Sequence, residues 1–196
     1  MELILASSSP RRQELLRAAG ISFTVRPSNI PEDPLPEEAP IQFSERLAKE
    51  KAAAVRSVLP SNSGALVLAA DTIVVVDNEV LGKPADAKDA ARMLRMISGR
   101  AHQVITSVCL SGSGFQDVRS ESTVVCVNGI SEQEIAEYIA SGEPMDKAGA
   151  YGIQGLASRW IPRVEGDYSN VVGLPIALVY RMLKKCGAFG HLPLQR

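Results

Sequence analysis

The sequence predicts an α/β fold, and three observations predict it. The chain opens as strand, helix, strand: an apolar run at Leu3-Ile4-Leu5, a helix starting at Pro10, and an alternating stretch from Ile21 to Val25. Leu66 to Val76 is the most apolar segment, and its length and β-branching call for a buried strand. Between such strands lie amphipathic stretches with helical spacing. The 196 residues suffice for one domain, or one domain with two lobes, and a single domain spanning 1–196 is expected.

The first helix has a defined start. Pro10 suits the first helical position and Ser9 the N-cap, so Arg11 and Arg12 fall in the first turn, at the positive end of the helix dipole. Two cations are unfavourable there unless an anion joins them. Free backbone N–H groups, the hydroxyls of Ser7-Ser8-Ser9 and guanidinium forks all suit phosphate oxygens. Gly20 supplies the stop. From Pro27 to Pro40, prolines and the acidic residues Glu32, Asp33, Glu37 and Glu38 exclude both helix and central strand, which leaves a loop with candidate metal ligands. Ile41 to Leu59 has helical spacing, with Phe43, Leu47, Ala54 and Leu59 apolar and Arg46, Lys49, Glu50 and Lys51 interleaved on a face expected to be solvated.

Asp71 interrupts the apolar strand 66–76. A carboxylate in such a run caps a turn or pairs with a cation or metal, because leaving it buried and unpaired is costly. Asp77-Asn78 marks a turn and Glu79 to Leu81 the return strand of a hairpin, after which Gly82-Lys83-Pro84 holds a lysine in a constrained loop. A helix follows from Asp86 or Ala87 to Ile97, buried through Ala90, Met93, Leu94 and Ile97 and ended by Gly99. His102 to Leu110 and Ser120 to Val127 read as a hairpin turning near Gly112 and Gly114. Ser131-Glu132-Gln133-Glu134 is a capping box for a helix closed by Gly142. Asp146 to Gly155 is rich in glycine and alanine, and reads as a ligand loop or a tight structural turn. Trp160 to Val164 and Val171-Val172 look strand-like, Gly173-Leu174-Pro175 opens a last helix from Ile176 to Lys185, and the tail from Gly187 is expected to fray.

Composition excludes some functions. A net charge of -1 and an aromatic content of 5% lack the basic face and stacking aromatics of a nucleic-acid binder. No stretch approaches the roughly 20 apolar residues of a membrane span, and the opening apolar run is too short for a signal peptide. Cys109, Cys126 and Cys186 lack zinc-site spacing and read as reduced thiols, and His102 and His191 do not suggest a shared metal site. A soluble cytoplasmic protein is expected.

These residues carry a resemblance. Ser7-Ser8-Ser9-Pro10-Arg11-Arg12, Leu47-Ala48-Lys49-Glu50-Lys51-Ala52, Ala70-Asp71-Thr72, Gly82-Lys83-Pro84, Leu94-Arg95-Met96-Ile97-Ser98-Gly99, Asp146 through Gly155, and Gly173-Leu174-Pro175 occur in the order and spacing of a known family. The chain resembles the Maf-type nucleoside triphosphate pyrophosphatases. The resemblance implies an elongated mixed β-sheet with packed helices, two lobes around a cleft, related in architecture to the inosine triphosphate pyrophosphatases. It implies hydrolysis of a nucleoside triphosphate to monophosphate and pyrophosphate with a divalent cation, Mg²⁺ or Mn²⁺, and a homodimer.

By the matching positions Asp71 is the proton acceptor, and Ser7, Arg12, Lys51 and Lys83 bind phosphates. Glu32 joins Asp71 at the metal, although Asp33 beside it offers a second carboxylate and Asp71 can serve as base or as ligand. Arg11, Thr72 and Gln154 occupy the selectivity positions and resemble the branch acting on dTTP and UTP, with modified pyrimidines also within reach. A glutamine amide offers one acceptor and two donors, which match the N3–H and a carbonyl of thymine or uracil. The competing expectations are the same chemistry on a modified purine such as 7-methyl-GTP, and a nucleotide-binding regulator without turnover, which has no use for a desolvated Asp71.

Overall fold

Strands made almost wholly of apolar residues need cover on both faces, and the elements in chain order provide it. They are β1 (Leu3–Leu5), α1 (Pro10–Ala18), β2 (Thr24–Val25), α2 (Pro40–Arg56), β3 (Leu66–Val76), β4 (Glu79–Leu81), α3 (Ala87–Ile97), β5 (Ala101–Gly112), β6 (Phe115–Cys126), α4 (Glu132–Ala140), β7 (Arg163–Glu165), α5 (Tyr168–Val172) and α6 (Ile176–Lys185). Short 3-10 turns occupy Glu143–Asp146, Ala148–Ala150 and Leu156–Trp160. The structure, a computed structural model, describes residues 2–60 and 63–188. Its seven strands form one mixed sheet in the order β2-β1-β3-β5-β6-β7, with β4 paired to β3. The predicted α/β class is the one observed.

The chain divides into two compact units. One takes the residues up to Asp71, Thr106–Glu121 and the chain from Gly173; the other takes Thr72–Ile105 and Ser122–Val172. In the first unit β1 runs parallel to both β2 and β3, with Leu3, Ile4 and Leu5 opposite Leu66, Val67 and Leu68. The period of two then sorts the side chains. Leu3, Leu5, Leu66, Leu68 and Ala70 join Leu16 and Ile21 and the inner face of α6, Leu178, Val179, Met182 and Leu183. Ile4, Ala6, Val67 and Ala69 face the other way, onto Ala48, Ala52 and Val55 of α2.

In the second unit β3 and β4 form the predicted hairpin, Val74 opposite Leu81 and Val76 opposite Glu79. Its turn residues Asp77 and Asn78 both have positive φ, 49° and 66°, the signature of a primed turn that matches strand twist. The apolar stripe of α3 is buried as expected, and α4 begins with its capping box. Tyr138 of α4 meets Trp160 edge to face at 5.2 Å, and the Trp160 indole donates to Glu134 at 3.0 Å.

Several predicted boundaries are corrected. The stretch from Ile21 pairs only at Thr24–Val25, and α2 stops at Arg56 rather than Leu59. The hairpin β5–β6 begins its return at Phe115, well before Ser120. Trp160 ends a 3-10 turn, and the strand near it covers only Arg163–Glu165. Val171-Val172 is helical: the Asp167 carboxylate accepts from the Ser169 and Asn170 backbone N–H groups at 2.7 and 3.3 Å, and this start signal overrides the β-propensity of the two valines. The expected fraying at Gly187 does not begin there, since Ala188 is fully buried against β1 and α6; the rest of the tail, with His191, lies outside the described residues.

His102 sits in the second unit, 3% exposed, with Nε2 2.8 Å from the Tyr151 hydroxyl, and its buried Nδ1 has no partner among the described residues. Burial lowers its pKa from 6.5 to about 4. Between those values the unfolded chain carries a proton on this residue and the native protein does not, so stability rises with pH through that window. Acidification through the window is expected to remove roughly 3 kcal/mol of stability at this group. Urea unfolding from pH 7 to 4 checks this: His102→Gln should show a shallower loss than the native sequence, and parallel pH profiles would exclude the assignment.

Candidate active site

The strand β3 brings Asp71 to α2 by simple alternation. Ala65, Val67 and Ala69 point at the helix, and Asp71 continues that row. On α2 the facing stripe is Leu47, Ala48, Lys51, Ala52 and Val55, the three- and four-residue spacing of one helical face. The Lys51 ammonium therefore arrives opposite the Asp71 carboxylate, Nζ to Oδ1 2.6 Å, with the two side chains 9% and 7% exposed. Sequence spacing had assigned Lys51 to a solvated face; it is buried because the apolar stripe runs through it.

A second carboxylate meets the same ammonium. Glu32 Oε1 lies 2.6 Å from Lys51 Nζ. Asp33 instead uses its backbone carbonyl to accept from Arg46 at 2.9 Å. Arg46 also grips Glu38 with both arms, Nε to Oε1 at 2.7 Å and Nη2 to Oε2 at 2.8 Å, so the loop is pinned to α2 just after Glu32. That pairing holds the Arg46 pKa above the usual guanidinium range and the Glu38 pKa below its usual value. Sequence reading missed Arg46, whose charge looks like that of any exposed helical face.

At α1 the predicted start is realised. Ser9 caps the helix, accepting from the Arg12 N–H, with Pro10 in the first turn. Arg12 Nη1 donates to Ser7 Oγ at 3.3 Å and Nε donates to the Gly173 carbonyl at 2.8 Å. Ser7 Oγ also accepts from the Ser9 N–H at 3.2 Å, which fixes the serine between strand and helix. Burial pulls the Arg12 pKa down, and the carboxylates of Asp71 and Glu32 oppose that pull. Arg11, half-buried in the same turn, works in the other direction on Arg12. Ser7, Arg11, Arg12, Glu32, Lys51 and Asp71 thus belong to one unit and its electrostatics.

The other predicted residues belong to the second unit. Thr72 shares a face of β3 with Val74, and Gly149, at φ +69°, lies so close over Val74 that a Cβ there would come within 2.8 Å of its methyl. The Gly149 N–H donates to the Gly82 carbonyl at 3.0 Å, which ties the loop of Lys83 to the segment leading to Gln154. Lys83 and Gln154 are exposed.

Two carboxylates converge on one ammonium, in the unit that also holds Arg12, Ser7 and the start of α1. Residues 2–186 match the family model described as Maf-like protein, and the chain belongs to the Maf family. It is 57% identical over 187 residues to the dTTP/UTP pyrophosphatase of Koribacter versatilis, covering 95% of each chain. It is 53% identical over 186 residues to the dTTP/UTP pyrophosphatase of Symbiobacterium thermophilum, covering 95% of this chain and 94% of that one. Among solved structures the Staphylococcus aureus Ham1 protein is similar in fold, with a TM-score of 0.52 at 15% identity over 94% of this chain and 99% of that one.

Removing one partner of a buried ion pair leaves the other charge without compensation, which typically costs about 3–5 kcal/mol. Lys51→Met is expected to destabilise by about 3 kcal/mol, the low end of that range because Glu32 reaches solvent. Adding Asp71→Asn to Lys51→Met should restore part of the loss. Chemical denaturation of the single and double variants checks both, and additive losses would show that the pair is not the source.

Proposed function

We propose that this chain is a nucleoside triphosphate pyrophosphatase that hydrolyses dTTP and UTP to the nucleoside monophosphate and pyrophosphate. One observation carries the reading: Lys51 Nζ held at 2.6 Å from both Asp71 and Glu32, in the unit that also presents Arg12 and Ser7. Support for the substrates comes from the relatives at 57% and 53% identity, which are dTTP/UTP pyrophosphatases.

Phosphoryl transfer is chiefly positioning and charge stabilisation, and each residue has a task within it. Arg12, oriented by Gly173, and the Ser7 hydroxyl hold phosphate oxygens at the start of α1, and the partly desolvated guanidinium gains from a polyanion. Lys51 and Lys83 are further phosphate ligands, and Arg11, Thr72 and Gln154 select the base. Asp71 orients the attacking water and takes its proton as the water oxygen bonds to the α- or β-phosphorus; the bond from that phosphorus to the α–β bridge oxygen breaks, and its electron pair leaves on the bridge oxygen, with pyrophosphate for attack at the α-phosphorus or with the monophosphate for attack at the β-phosphorus.

The donor set fits a hard cation. Among the described residues no group of three histidine, cysteine, aspartate or glutamate side chains could hold a metal. The two carboxylates already meet at a positive charge, and Mg²⁺ typically takes one or two carboxylates and completes its shell with phosphate oxygens and water. Glu32 and Asp71 would hold Mg²⁺ or Mn²⁺, which supplies neutralisation of the phosphate charge.

Purified protein offered dTTP, UTP, CTP, ATP and 7-methyl-GTP with Mg²⁺ or Mn²⁺ is expected to release pyrophosphate, rather than phosphate, from dTTP and UTP. Asp71→Asn should lower kcat by about 10²–10⁴, the usual loss for a general base. Turnover of 7-methyl-GTP alone would overturn the base assignment, and nucleotide binding without hydrolysis by the native sequence would overturn the enzymatic reading.

A further inference from the structure

The turn that carries Gln154 is built around one carboxylate. Glu143 Oε1 accepts from the Tyr138 hydroxyl at 2.8 Å, and that phenol oxygen accepts in turn from the Gly152 N–H at 3.1 Å. Glu143 Oε2 accepts from the Leu156 N–H at 3.1 Å. The Gly155 N–H closes the turn on the Gly152 carbonyl at 3.0 Å. The backbone two residues before Gln154 and two residues after it therefore ends on the same carboxylate, while Gln154 itself faces solvent.

The flanking glycines follow from this wrapping. A Cβ on Gly155 would collide with the Glu143 carboxylate, and one on Gly152 would come within 2.7 Å of the Lys147 side chain. Lys147 donates to the Glu143 carbonyl at 2.6 Å, fixing the acid's own backbone. Tyr138 is buried against Trp160, and burial raises its pKa above the ordinary phenol value, so it remains a donor. The backbone on both sides of Gln154 is thus held in a tight turn, with its exposed amide side chain at the tip.

We propose that Glu143 is the positioning residue for base selection. This deepens the function proposed above and rests on it. A carboxamide reads uracil against cytosine, whose donor and acceptor order is reversed, only when its backbone holds it within hydrogen-bond range of that edge of the base. A carboxylate is suited to the task because it accepts from the phenol and from the Leu156 N–H at once, with charge-assisted bonds, whereas a neutral amide has a single acceptor oxygen. Glu143 acts through the backbone on either side of Gln154.

The test is steady-state kinetics on dTTP, UTP and CTP for Glu143→Ala, Glu143→Gln, Gln154→Ala and the double variant Glu143→Ala/Gln154→Ala. Glu143→Ala is expected to raise KM for dTTP and UTP about tenfold with kcat nearly unchanged, and to narrow the preference over CTP. Glu143→Gln should recover part of the loss, and the double variant should be no worse than Gln154→Ala alone, as for residues acting in series. Hydrogen exchange should quicken at Gly152 and Leu156 while the β3 amides keep their protection. Should Glu143→Ala fail to fold, Tyr138→Phe, which frees the Gly152 N–H and removes the donor to Glu143 Oε1 while leaving the bond from the Leu156 N–H, must shift KM in the same direction. Equal loss of kcat on all nucleotides, or additive effects in the double variant, would overturn the inference. A native protein inert to dTTP and UTP overturns the proposed function and this inference with it; an active one whose selectivity survives Glu143→Ala overturns this inference alone.

Discussion

The first unit depends on a single buried ammonium. Asp71 stands in a row of valines and alanines where an unpaired carboxylate would cost several kcal/mol, and Lys51 is the cation that makes it tolerable. The pairing also fixes register. A shift of β3 by one residue would turn Asp71 to the opposite face, where Leu66, Leu68 and Ala70 now meet α6, and would leave Lys51 buried beside apolar groups. Apolar packing alone accepts several sliding positions of α2 along the sheet; the ion pair accepts one.

The same ammonium organises a segment with no regular structure. The loop after β2 buries little apolar surface, and its prolines deny it a ladder of backbone hydrogen bonds. It is held by charges on α2 instead, Glu32 at Lys51 and Glu38 at Arg46. The second unit repeats the device without a cation: the turn from Gly152 to Leu156 closes on the Glu143 carboxylate, satisfied by a phenol and a backbone N–H. In both units a carboxylate gives an irregular segment the definition that helices and strands obtain from their backbones.

Much of this was legible in the residues. Apolar runs, turn chemistry and helical spacing located β3, β4 and α6 to the residue and α3 to within one, because the β-branched run of β3, the Asp77-Asn78 pair and the apolar stripe of α3 are local signals. The cap of Ser9 and the first-turn arginines were equally local. What escaped was set by distant partners. Val171-Val172 looks extended until Asp167 caps it, and Lys51 looks solvated until the stripe around it is seen to face β3. Composition does not say that Glu32, beside Asp33, meets Lys51. The grip of Arg46 on Glu38 and the hold of Glu143 on its turn belong to the same class: ordinary surface charges in sequence, placed by tertiary geometry.

The bond from Arg12 Nε to the Gly173 carbonyl joins groups 161 positions apart. Leu3 and Leu5 are likewise sealed by α6, so β1 shares its core with a helix far along the chain. Synthesis proceeds from the N-terminus, and contacts of such sequence separation form late because their loops must close first. The arginine at the head of α1 is therefore made early and aimed late. A chain lacking the segment from Gly173 carries Ser7, Arg12, Lys51 and Asp71 without the carbonyl that directs the guanidinium, so this arrangement of side chains waits on a segment made long after them.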